Sequence, residues 1–501
     1  MRPRTGVSLA LALLLVGQST FAVASSFDQF TPLPSSAGPI PVDGPGEATP
    51  ITLSSPNFRQ RSIADRRTQN TLVPGSNSGN WDMITANETG PNAGRYLFMP
   101  FETATAGVQR VDLQDPNYNT RTVTIVAPGT QGFVAGDASR WTPWGGYLTG
   151  EESWGAGSTK GRLFEVTNPT TATANGGDFV QRSVIPRMSH EGLAFDRNNN
   201  LYFIDEFNGG SIYRYTSSNP TASDGNAYFS AGQSTVLRVG TGGQSEGNNG
   251  PAITGMSSWV PITDATGGAL AGISTVLADG TIDGRVTADH ASILGTGYNR
   301  PEDLEIQTLA SGTQLLYFAT TDSDNNGNTT DGRSRVYTIN LDTNEVNLFA
   351  DSTFIDLATG LAVGGGFRNA DNIAIDADGN IYIIEDRNGG VDDDIWFARD
   401  LNKDGDLLDA GEGLARWASN GTQGSELTGL YFDPFNRARA YVNIQHPSSG
   451  VDRLIEINAV PEPATYTMML AGLAVMGALG RRRLRQSAAP VAARSTPTDN
   501  V

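Results

Sequence analysis

The chain has 501 residues, no cysteine and a formal net charge of −19. The absence of cysteine excludes a disulfide framework, a thiolate metal site and a cysteine nucleophile. Such an acidic surface disfavours binding to nucleic acid or to anionic lipid and suits hard cations such as Ca²⁺. An acidic surface that serves only solubility would have the same net charge. The sequence motifs are therefore needed to distinguish cation binding from solubility.

The N-terminus has the pattern of a secretory signal peptide. Arg2 and Arg4 precede an apolar run over 7–16, and small residues follow up to Ala24. This order of basic, apolar and small residues predicts cleavage after Ala24 and therefore export of the chain. We assign residues 1–24 to the signal peptide.

The next segment, 25–60, is rich in Pro, Ser and Gly and has no hydrophobic periodicity. That composition predicts a flexible linker or a loosely attached arm. From 61 to 459 the sequence changes to many short runs of β-branched and aromatic residues separated by Gly, Asn and Asp. These runs predict short strands, and hence an all-β domain.

One hairpin pattern recurs in this domain: a strand opened by acidic or polar residues, a turn, and a strand closed by acidic residues. It is clearest at 191–206 and 371–386 and looser at 302–322 and 428–446. Repeated hairpins at irregular intervals predict a single β-propeller with six blades and inserted loops. Seven blades or a right-handed β-helix are the alternatives.

In an antiparallel hairpin the start of the first strand and the end of the second lie at the same edge, so every copy brings polar side chains to one rim. The expected rim residues are His190, Glu191, Glu206, Arg300, Glu302, Asp303, Asp371, Asn372, Asp386, Glu426 and His446. Carboxylates packed this closely repel one another unless divalent cations neutralise them, and Ca²⁺ accepts six to eight oxygen ligands. An arginine at the same rim can hold a phosphate or a carboxylate. The alternative is that the acidic pairs cap turns or bind the neighbouring blade, and that the two histidines make only structural hydrogen bonds.

Two loops have the alternating oxygen spacing of separate calcium sites. The first resembles an EF-hand loop with Gly405 at its turn, and its candidate ligands are Asp400, Asn402, Asp404 and Asp406. Its twelfth position is Gly411, and Glu412 comes one place late. Asp322 and Asp324 begin a shorter version. We expect both loops to stabilise the fold without taking part in chemistry.

The C-terminal segment 460–485 contains Pro461-Glu462-Pro463, an apolar stretch over 464–480 and an arginine cluster over 481–485. The stretch is just long enough to span a bilayer, so a plain anchor is one interpretation. The three parts in this order resemble the PEP-CTERM sorting signal read by an exosortase in Gram-negative bacteria. The resemblance implies transient membrane anchoring, removal of the tail and release to the cell surface or extracellular matrix, with 486–501 as a disordered tail.

Six boxes within the domain resemble those of PhoX-type alkaline phosphatases, in the same order. They are TPWGGYLTGEES (142–153), SHEGLAFD (189–196), GYNRPEDLEI (297–306), ADNIAID (370–376), and SELTGLYFD with VNIQHPSSG (425–433 and 442–450). The resemblance implies a six-bladed propeller with iron and calcium in its central channel and hydrolysis of small phosphomonoester substrates. It also implies that Arg300 holds the phosphate, that Glu302 and Glu191 are metal ligands, and that Glu152, Asp371, Glu206 and Asp386 are further ligands.

The chain departs from this family at one point, because family members have a cysteine shortly before the TPWG box that bridges two irons. Residues 136–141 contain none. A soft thiolate cannot be exchanged for a hydroxyl while an iron pair is kept, so we expect Ca²⁺ and disfavour iron. Three functions remain open: a calcium-only phosphatase, a hydrolase of altered substrate such as a lactonase, and a non-catalytic calcium-binding surface or matrix propeller.

Overall fold

The computed structural model describes residues 26–246, 250–321, 334–387 and 393–460, together with residue 476. Nearly all of the regular structure is β-strand. In chain order the strands are β1 (Ile51–Leu53), β2 (Phe58–Asp65), β3 (Thr85–Ala86), β4 (Tyr96–Pro100), β5 (Val108–Asp112), β6 (Thr122–Val126), β7 (Arg140–Trp141), β8 (Tyr147–Gly150), β9 (Leu163–Val166), β10 (Phe179–Gln181), β11 (Leu193–Phe195), β12 (Leu201–Ile204), β13 (Ile212–Ser217), β14 (Gly232–Val239), β15 (Gly255–Pro261), β16 (Pro301–Thr308), β17 (Gln314–Thr320), β18 (Arg335–Asn340), β19 (Glu345–Asp351), β20 (Ala370–Ile375), β21 (Ile381–Glu385), β22 (Asp394–Arg399), β23 (Gly413–Asn420), β24 (Glu426–Phe432), β25 (Arg439–Gln445) and β26 (Arg453–Ala459).

The helices of this part of the chain are short. They are α1 (Arg66–Leu72), α2 (Gly225–Tyr228) and α3 (Gly284–Ala288), with 3₁₀ turns at Pro45–Ala48, Thr130–Gly132 and Gly364–Gly366. Among the described residues, no helix is long and apolar enough to cross a membrane. The predicted signal peptide, the membrane-spanning stretch over 464–480 and the tail over 486–501 lie outside the described residues, apart from residue 476.

The strands form five antiparallel sheets. Their orders are β3-β4-β5-β6, β10-β9-β8-β7, β11-β12-β13-β14-β15-β19-β18-β17-β16, β1-β23-β22-β21-β20 and β2-β26-β25-β24. In the nine-stranded sheet, β15 pairs with both β14 and β19 and so joins two four-stranded meanders. This arrangement is that of a β-propeller, as the sequence predicts. Divided at β15, the sheets give six consecutive meanders, so the blade count depends on that division.

We number these meanders in chain order. The first is β3–β6, the second β7–β10, the third β11–β14, the fourth β16–β19, the fifth β20–β23, and the sixth β24–β26 completed by β2. The sixth meander takes strands from both ends of the domain, because β2 pairs with β26 from Phe58↔Ala459 to Asp65↔Arg453. Pairing of the first segment with the last closes the ring of sheets and leaves fewer free edges.

The segment 25–60, expected as a flexible linker, is packed against the domain over much of its length. β1 adds to the edge of the fifth meander, with Ile51 opposite Asn420. The buried Phe27 ring lies 5.7 Å from Trp417 and 5.3 Å from Phe432, centroid to centroid. A few aromatic and apolar residues among the prolines and glycines therefore anchor this arm, which average composition does not reveal.

The core lies between the meanders. All seven residues of β17 and all eight of β23 are buried. Strands covered on both faces have no polar side, so these sequences lack clean alternation of apolar and polar residues. Polar side chains concentrate at the strand ends instead, and one edge of several meanders meets at a single cavity.

Candidate metal centre

The cavity has a volume of about 270 Å³ and is strongly acidic. Ten of its sixteen lining residues are Asp or Glu, and only one is Arg. The lining residues are Asn80, Asp82, Glu102, Asp137, Glu152, Trp154, Glu191, Glu206, Arg300, Glu302, Asp371, Asp386, Glu426, Thr428, Gln445 and His446. A larger cavity of about 610 Å³ lies between 159–187 and 267–282, but it has a single carboxylate, Asp279, which pairs with Arg187.

The titratable lining residues fall into two tiers defined by the meanders. The first-strand tier comes at the start of the first strand of each meander and consists of Asp82, Asp137, Glu191, Glu302, Asp371 and Glu426. The second-strand tier follows the second strand and consists of Glu102, Glu152, Glu206, Asp386 and His446. The matching position of the fourth meander is Asp322, which lies outside the described residues together with Asp324.

A repeated backbone feature places the first-strand tier. Two positions before the tier residue, five of the meanders have a residue of positive φ: Asn80 (48°), Ala135 (39°), Arg300 (36°), Asn369 (50°) and Gly424 (72°). Non-glycine residues rarely adopt this conformation, so its recurrence marks a constrained turn. In each of these meanders the residue two positions after this turn lines the cavity.

The same turns tie the two tiers together. The backbone N–H of Glu102 donates to the carbonyl of Asn80, and that of Glu152 to Ala135, both at 2.8 Å. Asp386 donates in the same way to Asn369 at 2.9 Å. These three second-strand residues are therefore held by main-chain bonds that do not depend on their side chains.

Three first-strand carboxylates form the tightest group. Oxygen atoms of Glu191, Glu302 and Asp371 all lie within 4.8 Å of one another. Burial raises the pKa of Glu191 and of Glu302 well above the ordinary value; neighbouring carboxylates add to the rise, and the charge of Arg300 opposes it at Glu302. Burial likewise raises the pKa of Asp371 to about 7. Without a cation, this group therefore binds protons readily.

Several other acids of the two tiers show the same tendency, whereas Glu206 does not. Burial, reinforced by nearby carboxylates, raises the pKa of Asp82, Asp137, Glu152 and Glu426 well above ordinary values. Burial also opposes ionisation of Glu206, but the charge of Arg300 and several hydrogen bonds lower its pKa. Glu206 accepts from Arg300 Nη2 at 2.6 Å and Arg300 lies 3.3 Å from Glu302.

The sixth meander contributes an imidazole and an amide side chain at the rim. His446 Nε2 lies 2.7 Å from Glu426, and its Nδ1 lies 2.9 Å from the carbonyl of Gly424. The side-chain amide of Gln445 donates to Asp82 at 3.1 Å and to Glu102 at 2.7 Å. These contacts fix the acids of the first and sixth meanders relative to each other.

Three of the expected rim residues make structural contacts. His190 packs against Phe203, 5.7 Å between ring centroids, and burial lowers its pKa to about 3, so its ring is neutral. Asp303 accepts from the backbone N–H of Leu304 at 2.7 Å and of Ile373 at 3.0 Å, joining the fourth and fifth meanders. Asn372 accepts from Gly429 at 2.6 Å and joins the fifth to the sixth.

The loop that begins at Asp400 is held by hydrogen bonds from its own backbone N–H groups to its acidic side chains. Asp400 accepts hydrogen bonds from the N–H groups of Lys403 and Gly405, at 2.6 and 2.9 Å. Glu412 accepts from the N–H groups of Leu401 and Asp409. Asn402 donates to Asp404, and Asp406 accepts from the N–H of Leu408. Within the described residues, the grouping of three close carboxylates occurs at Glu191, Glu302 and Asp371 and not in this loop.

Three cavity acids were not among the sequence-based candidates: Asp82, Glu102 and Asp137. They belong to the first two meanders, where Asp82 opens and Glu102 closes one hairpin and Asp137 opens and Glu152 closes the next. The same pattern of acids at both ends of a hairpin was present in 80–102 and 135–152. It is difficult to see because β3 and β7 have only two residues each.

The fold and the cavity define a β-propeller protein with a carboxylate-lined pocket at its strand ends. The sequence model of the family described as alkaline phosphatase PhoX matches residues 127–448, which is more than half of the chain. The chain belongs to this family. A PEP-CTERM protein-sorting motif matches residues 459–483, which indicates export and sorting to the cell surface.

Among solved structures, the chain is similar to Pseudomonas fluorescens PhoX in complex with vanadate, a transition-state analogue. The TM-score is 0.58 at 16% identity, over 85% of this chain and 97% of the other. The PQQ-bound aldose sugar dehydrogenase of Streptomyces coelicolor matches with a TM-score of 0.40 at 12% identity, over 80% of this chain and 98% of the other. At these identities the similarity to PhoX shows the fold. No curated protein matches the chain.

Proposed function

We propose that this protein is an exported, metal-dependent phosphomonoesterase that binds the phosphate group of its substrate in the acidic cavity. The observation that carries the proposal is the position of Arg300, whose guanidinium lies 3.3 Å from Glu302 in the tightest carboxylate group of the cavity. A cation held by that group and the adjacent guanidinium would give a phosphate two neighbouring positive partners.

The residues of the cavity fit a hard cation. Glu191 Oε2 and Asp137 Oδ1 are buried oxygens that have no hydrogen-bond partner among the described residues, which is costly unless something binds them. The donors are carboxylate oxygens with one imidazole, and the chain has no thiolate, so the set suits Ca²⁺ better than iron. Glu191, Glu302 and Asp371 would hold the cation. When bound, it would neutralise the carboxylates and the oxygens of the phosphate.

The side chains of the chain itself would bind and orient the substrate. Arg300 can hold a phosphate oxygen through Nη1 and so help to orient the substrate in the cavity. Trp154 lines the cavity beside Arg300, with 4.9 Å between its ring centroid and the guanidinium carbon, and so helps to hold the guanidinium in place. A small cavity of about 270 Å³ suits a phosphate group with its ester substituent directed outward.

A second candidate function is a non-catalytic, calcium-binding propeller of the cell surface or matrix. The observation that favours it is that Arg300 is already paired with Glu206 at 2.6 Å, so the charge of the guanidinium has a partner in the cavity without a substrate. In either case the sorting motif supports processing by an exosortase after export. We propose that the protein is then released to the cell surface or matrix. Separately, we propose that the Asp400 loop is a secondary calcium site.

The two functions are separated by substituting Glu302. We expect Glu302→Ala to abolish hydrolysis of p-nitrophenyl phosphate, because it removes one of three close ligands and the carboxylate beside Arg300. Glu345→Gln on the exposed face of β19 is the matched control and is expected to leave turnover unchanged. Circular dichroism would show that both variants remain folded. Wild-type turnover that persists in Glu302→Ala would reject the cavity as the active site.

A further inference from the structure

The Glu206 carboxylate has different partners from the other acids of the cavity. Its Oε1 accepts hydrogen bonds from Nε and Nη2 of Arg300 at 3.2 and 2.6 Å. Its Oε2 accepts from Nε1 of Trp154 at 2.6 Å and from the hydroxyl of Ser189 at 3.2 Å. An ionised carboxylate offers about four acceptor positions. These donors therefore occupy the positions that a cation would need.

The planar guanidinium of Arg300 is contacted on its face by an aromatic ring as well as on its edge by carboxylates. The guanidinium carbon lies 4.9 Å from the centroid of the Trp154 ring, within the range of a cation–π contact. The contacts described for Arg300 with Glu206 and Glu302 use Nε and Nη2. Among the described contacts, Nη1 is therefore the nitrogen that remains for an anion in the cavity.

The loop that contains Trp154 is fixed by the segment inserted between β15 and β16. Arg285 of α3 donates to the carbonyl of Ser153 at 2.6 Å and to that of Ser158 at 2.7 Å. Its Nε donates to Asp283 at 2.8 Å, and both side chains of this pair are buried. The inserted segment thus holds the Trp154 loop on both sides of the tryptophan.

We propose that Glu206 is a positioning residue for Arg300 rather than a cation ligand. In this arrangement Glu206 and Trp154 hold the guanidinium towards the phosphate of the substrate, and Arg285 braces the loop that supplies Trp154. The inference rests on the proposed function, because it assigns Arg300 to a phosphate. It gives α3 a role in substrate affinity although α3 contributes no lining residue to the cavity.

The test uses the full chain loaded with Ca²⁺ and compares wild type with Glu206→Gln, Trp154→Phe and Arg285→Met, with Glu345→Gln as control. Titration calorimetry gives the Kd of inorganic phosphate, steady-state kinetics give KM and kcat for p-nitrophenyl phosphate, and elemental analysis gives Ca²⁺ per chain. We expect Glu206→Gln to weaken phosphate binding about tenfold and to raise KM similarly, because a charge-assisted contact is lost. Bound Ca²⁺ should stay unchanged. Trp154→Phe keeps a ring and a folded loop, and Arg285→Met loosens that loop, so both should weaken phosphate binding less.

Each result has a distinct consequence. Loss of bound Ca²⁺ in Glu206→Gln with unchanged phosphate affinity would make Glu206 a cation ligand and overturn the inference. Equal phosphate affinity in wild type and all three variants would overturn it as well. Phosphate binding by wild type without turnover, weakened in Glu206→Gln, would remove the proposed function and support the inference. Folded, Ca²⁺-loaded wild type that neither binds nor hydrolyses phosphate would overturn both.

Discussion

Neighbouring residues in the hairpin motif have different structural roles. Glu302 and Asp371 line the cavity, whereas the residues that follow them, Asp303 and Asn372, bond to the next meander. At the equivalent place in the third meander stands Gly192, where a Cβ would lie 2.4 Å from the backbone nitrogen of Leu304. The motif therefore combines one residue for the cavity with one for the joint between sheets.

We expect Asp303→Ala to destabilise the protein by about 2–4 kcal/mol, because two buried N–H groups lose their acceptor and each such loss costs about 1–3 kcal/mol. Urea unfolding followed by tryptophan fluorescence would measure the change in the free energy of unfolding. The control is Asp342→Ala, which removes a surface ion pair with Arg197 and should cost under about 1 kcal/mol. Equal effects of the two substitutions would rule out the assigned role of Asp303.

At the residue scale, much of the cavity could be predicted from sequence. The hairpin pattern selected Glu191, Glu302 and Asp371, and the structure brings them together. The pattern could not distinguish the residues that line the cavity from the adjacent residues that bond to the next meander, because both kinds are polar and lie one position apart. The separation depends on the bulges of the first strands, such as that between Pro301 and Leu304, which sequence patterns do not show.

At the scale of elements, the short β-branched runs predict strands and the repeated hairpins predict the propeller. The N-terminal arm was less predictable, because its attachment depends on single residues. Phe27 contacts Phe58, Trp417 and Phe432, and its carbonyl accepts a hydrogen bond from the Trp417 indole at 3.1 Å. The arm is thus part of the interface between the fifth and sixth meanders and of the closure of the ring.

Phe27→Ala should therefore destabilise the domain by about 3 kcal/mol, a typical cost of removing a buried aromatic ring. Thermal unfolding monitored by circular dichroism would report this loss as a lower Tm. Phe435→Ala is the matched control, because that ring is half exposed and should change Tm little. If both variants melted like the wild type, the arm would not contribute to the stability of the domain.

At the scale of the whole molecule, the acidic cavity makes stability depend on pH and on cations. Burial raises the pKa of Asp371 from 3.8 to about 7, so the folded state binds this proton more tightly than the unfolded state. Such a group stabilises the fold below its unfolded pKa, and the contribution is lost as pH rises through the folded pKa. The raised pKa values of Glu191 and Glu302 act in the same direction.

The Tm of the cation-free protein is therefore expected to fall as pH rises from about 4 to about 8, and saturating Ca²⁺ should reduce that fall. Differential scanning calorimetry of chelated and Ca²⁺-loaded protein across this range would measure both effects. The stabilisation by Ca²⁺ should be largest at the alkaline end, where the carboxylates are ionised. A cation-free Tm that rises over the same range would contradict the electrostatic account of the cavity.

The most direct test of the central claim is the hydrolysis of p-nitrophenyl phosphate at alkaline pH by wild-type protein, before chelation, after chelation and after addition of Ca²⁺ alone. We predict that chelation abolishes turnover and that Ca²⁺ restores it without iron, because the cavity offers carboxylate oxygens and no thiolate. Folded, Ca²⁺-loaded protein with no turnover under any of these conditions would contradict the claim and favour the non-catalytic calcium-binding propeller.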